Sequence, residues 1–295
     1  MAPHRPLLKT LAAIAVLALA LAAASCGGGG GKKTAAKGTT TSVEDTSTTV
    51  GDTSTTAAGG ATATTKAGQK AGTPSGNKVN GQSPSNYQAP PGAKAATPPA
   101  PGTYRYDTSG SSKFGTQTSS PPPVTTLVVD PPAGTRQHSA LDARDGSGNG
   151  SVTETTLDFQ PQGVLLVELK ITTKAGFVND VTDFVANPPA LVAPTGVHPG
   201  QSVEFDLSGS GTNAHVKVDF VRTERLTIGG QAVDTLVAHQ VATLSGKITG
   251  TQTSDTKTST QYDLTVFNHT VADVTAYGIQ AHSDITSQLQ KLTPG

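Results

Sequence analysis

From about residue 101 onward, apolar and polar residues alternate with period two. Leu165, Val167, Leu169 and Ile171 alternate with Leu166, Glu168, Lys170 and Thr172. Val203, Phe205 and Leu207 alternate with Glu204 and Asp206. Val216, Val218 and Phe220 alternate with His215, Lys217 and Asp219, and Tyr262, Leu264 and Val266 with Gln261, Asp263 and Thr265. Alternation of this kind gives a strand one covered and one wet face, as in antiparallel sheet. Further strands are predicted at Thr103–Asp107, Thr125–Asp130, Arg136–Ala143, Val152–Phe159, Phe177–Phe184, Arg222–Ile228, Val233–Leu244 and Ile279–Ser287. Turn signals separate them: Asp145 to Gly150, Asn187-Pro-Pro189, His198-Pro-Gly200, Gly209-Ser-Gly211 and Gly229-Gly230, the last reading as a tight hairpin. Ile285, Leu289 and Leu292 fall at helical spacing, but Ile279, Ala281, Ser283 and Ile285 alternate, which favours a strand. The expected fold of residues 101–295 is therefore all-β: a single antiparallel sandwich or a curved half-barrel sheet.

Ahead of this domain the pattern vanishes. Between Gly27 and about Ala100, Thr39-Thr40-Thr41, Thr48-Thr49 and Thr55-Thr56 mix with Gly, Ala and Lys, and Pro90-Pro91 and Pro98-Pro99 close the stretch. Such a segment cannot bury enough apolar area to offset backbone entropy, so residues 26–100 read as a long disordered linker. Treated as a Gly-rich coil its r.m.s. span is ~45–50 Å. Earlier still, His4, Arg5 and Lys9 precede an apolar run from Leu11 to Ala24. A helix of that run covers about 21 Å, short of the ~30 Å hydrocarbon core. The pattern is that of a signal peptide, residues 1–25, rather than a permanent span. Ordinary cleavage after Ala22-Ala23-Ala24 is the alternative.

Leu21-Ala22-Ala23-Ala24-Ser25-Cys26 resembles a lipobox, the site at which bacterial lipoproteins are acylated on cysteine and cut before it. Ala23 stands where such sites usually carry Leu. The resemblance implies lipidation of Cys26, anchoring to the cell membrane on its extracytoplasmic side, and a domain held off the bilayer by the linker. Each buried CH₂ contributes roughly 0.8 kcal/mol, so two or three acyl chains hold far more firmly than one. Gly102-Thr-Tyr104-Arg-Tyr106, Pro199-Gly200-Gln-Ser-Val203 and the Gly229-Gly230 hairpin leading into Val233–Leu244 resemble the half-barrel lipoproteins of bacterial, in particular actinobacterial, envelopes. That resemblance implies binding of a lipid or other apolar ligand in an open cavity of several hundred Å³. Those families pack helices in the concave face, and no helix is predicted here, so no functional residue is carried over.

Composition narrows the chemistry. Residues 1–100 carry 9 Lys/Arg against 3 Asp/Glu, and residues 101–295 carry 12 against 18. An acidic domain of this kind argues against a nucleic-acid partner. Cys26 is the only cysteine, which excludes a disulfide within the domain, a thiolate metal cluster and a cysteine nucleophile there. Asp145, Ser147 and Asn149 followed by Gly150 have the alternation of a calcium loop, but position twelve is Thr156, and Asp, Gly and Asn are ordinary hairpin residues. His239, between Val237 and Val241, reads as an inward-facing core histidine, with a metal or catalytic role as the alternative. His138, His198, His215, His269 and His282 show no metal-ligand spacing. No G-x-S-x-G elbow occurs, and Gly209-Ser210-Gly211 lacks the strand–helix setting of a phosphate loop. The expected function is non-catalytic, with no cofactor and no metal: binding of an apolar ligand or lipid, or else a protein-interaction or structural module of the envelope. An enzyme would need polar groups converging in a cleft, for instance around His239.

Overall fold

The computed structural model describes residues 77–175, 178–276 and 278–295. The expected signal peptide, Cys26 and the linker up to residue 76 lie outside the described residues. The strands are β1 (Lys78–Val79), β2 (Gly102–Phe114), β3 (Gln117–Ser119), β4 (Val124–Val129), β5 (Arg136–Asp142), β6 (Gly150–Gln160), β7 (Gly163–Ala175), β8 (Val178–Pro194), β9 (Ser202–Gly209), β10 (Thr212–Ile228), β11 (Gln231–Gly246), β12 (Ile248–Ser259), β13 (Thr265–Ala276) and β14 (Ile279–Leu289). One 3₁₀ turn, Pro84–Asn86, stands between β1 and β2.

Every main strand pairs antiparallel with the next in sequence. The meander then closes: β14 lies along β2 from Ala281↔Phe114 to Leu289↔Tyr106, and β8 meets β9 at Val185↔Ser208. β2 and β4 to β14 thus form a closed twelve-stranded barrel. This corrects the expectation of a sandwich or an open half-barrel. The expected alternation of one covered and one wet face holds, but the ends of the meander pair with each other along β2 and β14, while β8 and β9 share one backbone bridge.

A round barrel of eight strands is just filled by its side chains, and a wider one leaves a lumen. Here Val203, Phe205 and Val216 have no exposed surface. Leu157 and Leu169 on β6 and β7, Phe184 on β8, Phe220 on β10 and Val274 on β13 belong to one apolar cluster. The walls therefore press on each other across the interior. The lining is not uniformly apolar: on β12 the inward positions are Gln252, Ser254, Thr256 and Thr258, all buried.

A bulge between Phe220 and Arg222 changes which side of the β10–β11 hairpin is covered. Beyond it Leu226, Ile228 and Val233 join a second cluster with Tyr104, Tyr106, Leu264, Val266, Leu289 and Leu292. Arg225 and Asp234 pair on the exposed side. The hairpin turns at Gly229-Gly230, with φ of 56° and 83°. Both central residues of such a two-residue turn need positive φ, which glycine adopts at little cost.

Other expectations are revised. Residues 77–100, read as the end of the linker, are seated on the barrel. Asn187-Pro-Pro189, read as a turn, lies inside β8, where the pairing with β7 is irregular between Leu166 and Glu168. Tyr262 to Leu264, read as strand, form the β12–β13 turn, and Leu264 is buried there by the second cluster. β12 was not expected at all. The Gly209-Ser-Gly211 and Gly229-Gly230 turns and the strand at the C-terminal end stand as expected.

Candidate functional site

Residues 96–100 run across one end of the barrel as a strap. Asp263, in the β12–β13 turn, holds it from one side: Thr97 donates both its N–H (3.1 Å) and its hydroxyl (2.9 Å) to Oδ2. Gln137 on β5 holds it from the other, donating Nε2 to the carbonyl of Pro99 at 2.9 Å and to that of Asp130 at 2.9 Å. The Tyr104 hydroxyl donates to Ala100 O at 2.8 Å. Ahead of the strap, the Tyr87 hydroxyl donates to Thr195 O at 2.6 Å.

Under Pro99 lies a cavity of about 90 Å³. One part of its wall is hydroxyl and amide: Thr125, Ser139, Thr153, Thr155, Asn268 and Ser287. The rest is apolar: Tyr106, Leu127, Val129, Leu141, Leu157 and Leu264. No charged side chain lines it. Tyr106 is buried and donates its hydroxyl to Thr265 O at 2.8 Å. Burial, with a smaller contribution from Tyr104, holds its phenol well above the ordinary tyrosine range. An engineered apolar cavity of about 150 Å³ takes up benzene, and drug-sized ligands need ~300–1,000 Å³. The cavity under Pro99 is smaller than either, and smaller than the several hundred Å³ expected of an open lipid site.

The histidines lie elsewhere, most of them on the outer wall. His239 faces outward, with its Nδ1 2.7 Å from Asp255 on β12, which corrects the expectation of a core histidine. Its inward neighbours are Ala238 and Gln240; Val237, which suggested burial, is covered on the outer side beside its cross-strand partner Lys257. His138 pairs likewise with Asp130 (2.8 Å), His215 with Asp206 (2.8 Å), His269 with Asp284 (3.0 Å) and His282 with Asp273 (2.7 Å). An ionised carboxylate only accepts, so each imidazole donates in these pairs. His198 instead has Nδ1 3.0 Å from the carbonyl of Pro199. Asp219, His239, Asp255 and His269 occupy facing positions on β10 to β13, an alternating acid–imidazole row. Among the described residues no three His, Cys, Asp or Glu are grouped to hold a metal ion.

The Asp145 loop is closed on itself. Asp145 Oδ1 accepts the Ser147 N–H at 2.9 Å, the Ser147 hydroxyl at 2.6 Å and the Asn149 N–H at 2.9 Å. These bonds, the Ser147 hydroxyl foremost, hold the carboxyl below the usual range. The residues act as a hairpin connection between β5 and β6, the second of the two readings of this loop.

The composition of the outer wall decides where the barrel can stand. Lys170, Lys217, Asp255 and Asp284 project outward with between a third and three fifths of their side chains exposed. A bilayer-spanning barrel carries an apolar outer band about 25 Å tall, and each Lys or Arg at its midplane costs about 2–4 kcal/mol. Here most large apolar residues face the interior, and charged side chains are spread over the outer wall. The described residues contain no helix long and apolar enough to cross a membrane.

The strap and its two anchors, Gln137 and Asp263, and the cavity's hydroxyl wall were not singled out in the sequence. Isolated Thr and Ser carry no chemical signature, and only closure of the barrel brings β4 to β6 together with β13 and β14. The chain matches no family model and no curated protein. Among solved structures, one from Parabacteroides distasonis, described as a putative lipoprotein, superposes with a TM-score of 0.35 at 12% identity. The match covers 66% of this chain and 96% of that one, and is too slight to carry an argument about either fold or function.

Proposed function

We propose that the chain is a bacterial envelope lipoprotein, held by lipid on Cys26 at the extracytoplasmic face of the cell membrane, whose barrel binds rather than catalyses. The observation that carries this reading is the charged outer wall. A barrel with such a wall does not itself enter the bilayer, so attachment to the membrane would fall to another part of the chain, and the six residues ending at Cys26 fit that role. Replacing Cys26 by serine tests it. The unmodified chain is expected in the membrane fraction with acyl mass on its N-terminal peptide, and Cys26→Ser is expected in the soluble fraction. Equal partitioning of the two, with no acyl mass on the former, overturns the anchor.

For the ligand, the cavity favours a small uncharged molecule with hydroxyl or carbonyl groups over the lipid that the half-barrel resemblance implies. Its volume is below that of a benzene site, and its lining pairs neutral hydrogen-bonding groups with one apolar face. The Cys26→Ser chain, purified without detergent, is expected to show no co-purifying lipid by native mass spectrometry. Glycerol is expected to shift NMR signals of Thr153, Thr155 and Asn268, and palmitate is not. Bound lipid at one equivalent would reverse that choice of ligand and leave the anchor unaffected.

A further inference from the structure

The barrel has one weak seam. β8 and β9 meet directly only toward one end, through the Val185↔Ser208 bridge and a 3.1 Å bond from the Asp183 N–H to the Ser210 hydroxyl. The approach there is close: a Cβ on Gly209 would lie 1.7 Å from the Asp183 carbonyl oxygen, so only glycine fits. Toward the other end the two strands part, and residues 77–80 fill the space. Lys78 and Val79 pair antiparallel with Glu204 and Val203 of β9.

The asparagines on either side finish the join. Asn77 Oδ1 accepts the Leu191 N–H at 2.7 Å, and its Nδ2 donates to Leu191 O at 3.2 Å and to Glu204 O at 3.0 Å, so one side-chain amide spans both strands. Asn80 donates its N–H to Ser202 O at 2.8 Å, and its Oδ1 accepts the Ser202 N–H at 2.8 Å. Val79 is 3% exposed and belongs to the main core cluster. Four residues thus supply hydrogen-bond partners, by backbone to β9 and by the Asn77 side-chain amide to β8, that the two strands do not supply to each other.

We infer that the parted end of the β8–β9 seam is a strand-acceptor slot: a binding site for an Asn-x-Val-Asn peptide that turns at its last residue, filled in cis by residues 77–80 and open in trans to the same segment of a second copy. Its chemistry is that of strand addition. Backbone groups of Leu191, Ser202 and Glu204 provide the pairing, and the space taken by Val79 selects an apolar side chain at the third position. A tethered segment competes at an effective concentration on the order of millimolar, so micromolar peptide does not displace the intact stitch.

The test uses the full chain, with Asn77→Ala/Val79→Ala to loosen the stitch, and a fluorescent peptide of residues 74–83. Expected results are faster amide exchange at Leu191 and Ser202 in the variant, peptide binding at least tenfold tighter than to the unaltered chain, and exchange slowed again when peptide is added. Unaltered exchange in the variant overturns the slot, and so does faster exchange that saturating peptide leaves unchanged. Should the double variant lose its far-ultraviolet strand signal, Asn80→Ala, which leaves Asn77 and Val79 in place, gives the same two readouts. Its exchange at Ser202 must rise and be slowed by the peptide for the inference to stand.

Discussion

Replacing Gln137 by leucine separates what the strap contributes from what the barrel wall contributes. Gln137 lies in the wall of the cavity and is buried, and its Nε2 donates to Pro99 O and Asp130 O, both at 2.9 Å. Leucine removes both bonds at similar volume. The Pro99 carbonyl is buried, and an orphaned buried acceptor costs about 1–3 kcal/mol. Asp130 lies nearer the surface and can turn to water, so its loss is about 0.5 kcal/mol. Against this, the leucine adds apolar contact beside Leu127 and Val129, about 1 kcal/mol. The net destabilisation is about 1.5 kcal/mol, equivalent to a fall in Tm of ~3–6 °C for a domain of this size. Hydrogen exchange locates the effect: the Thr97 amide, bonded to Asp263, should exchange faster, while amides of β9 and β10 should not. Ser139→Ala alters the same cavity without touching the strap and should leave Thr97 protected. A Gln137→Leu chain that melts within about 1 °C of the original and keeps Thr97 protected would refute the strap's dependence on this side chain.

Three further outcomes follow from the same structure. The raised Tyr106 phenol keeps its proton in the folded state, so its contribution is intact below the unfolded value of about 10 and is lost as pH rises beyond it; absorbance at 295 nm should show Tyr106 ionising only together with unfolding, and Tyr106→Phe should remove that component. A hydrogen bond from Lys257, opposed by burial and reinforced by Arg222, holds the Glu224 carboxyl below its ordinary range. Its contribution is present above the unfolded value of about 4.3 and lost as pH falls through the folded value, so the urea midpoint should drop between pH 6 and pH 3, and less steeply in Glu224→Gln. Gly229→Ala places a side chain at φ 56° with its Cβ 2.9 Å from Gln290 O; a cost of at least about 1–2 kcal/mol is expected in chemical denaturation.

What the sequence discloses depends on which wall a strand belongs to. β7, β9 and β10 are legible because their inward positions are Leu169 and Ile171, Phe205 and Leu207, and Val216 and Phe220, with polar residues between. β12 carries Gln252, Ser254, Thr256 and Thr258 inward, so its two faces are equally polar and the period disappears. β13 suffers in part for the same reason, with Thr270 facing in and Phe267 facing out beneath Lys257, whose Nζ lies 4.7 Å from the ring centroid. Closure was illegible because it joins β2 to β14, more than 160 residues apart, through backbone pairs that leave no mark on composition. His239 was misplaced for a local reason: the valines beside it are apolar, but Val237 finds its cover on the outer wall. Among the site residues, Tyr106 lay in a stretch that drew notice, while Gln137 and Asp263 become distinctive only once their partners on the strap are known.

The strap and the stitch belong to one stretch of chain, residues 77–100, which reads from composition as the end of a linker. Cutting at residue 101, where the alternating pattern begins, would remove both at once. The loss falls on the barrel, because cutting uncovers the apolar surface beneath Val79 and leaves Leu191 N–H and Asp263 Oδ2 without their partners on Asn77 and Thr97, at about 1–3 kcal/mol for each buried group. A chain beginning at Pro101 should therefore melt at least about 4 °C below one beginning at Asn77, with the excess amide exchange confined to β8, β9 and the β12–β13 turn. Equal melting of the two would mean that residues 77–100 rest on the barrel without closing it, and would remove the physical link between the root of the tether and the cavity under Pro99.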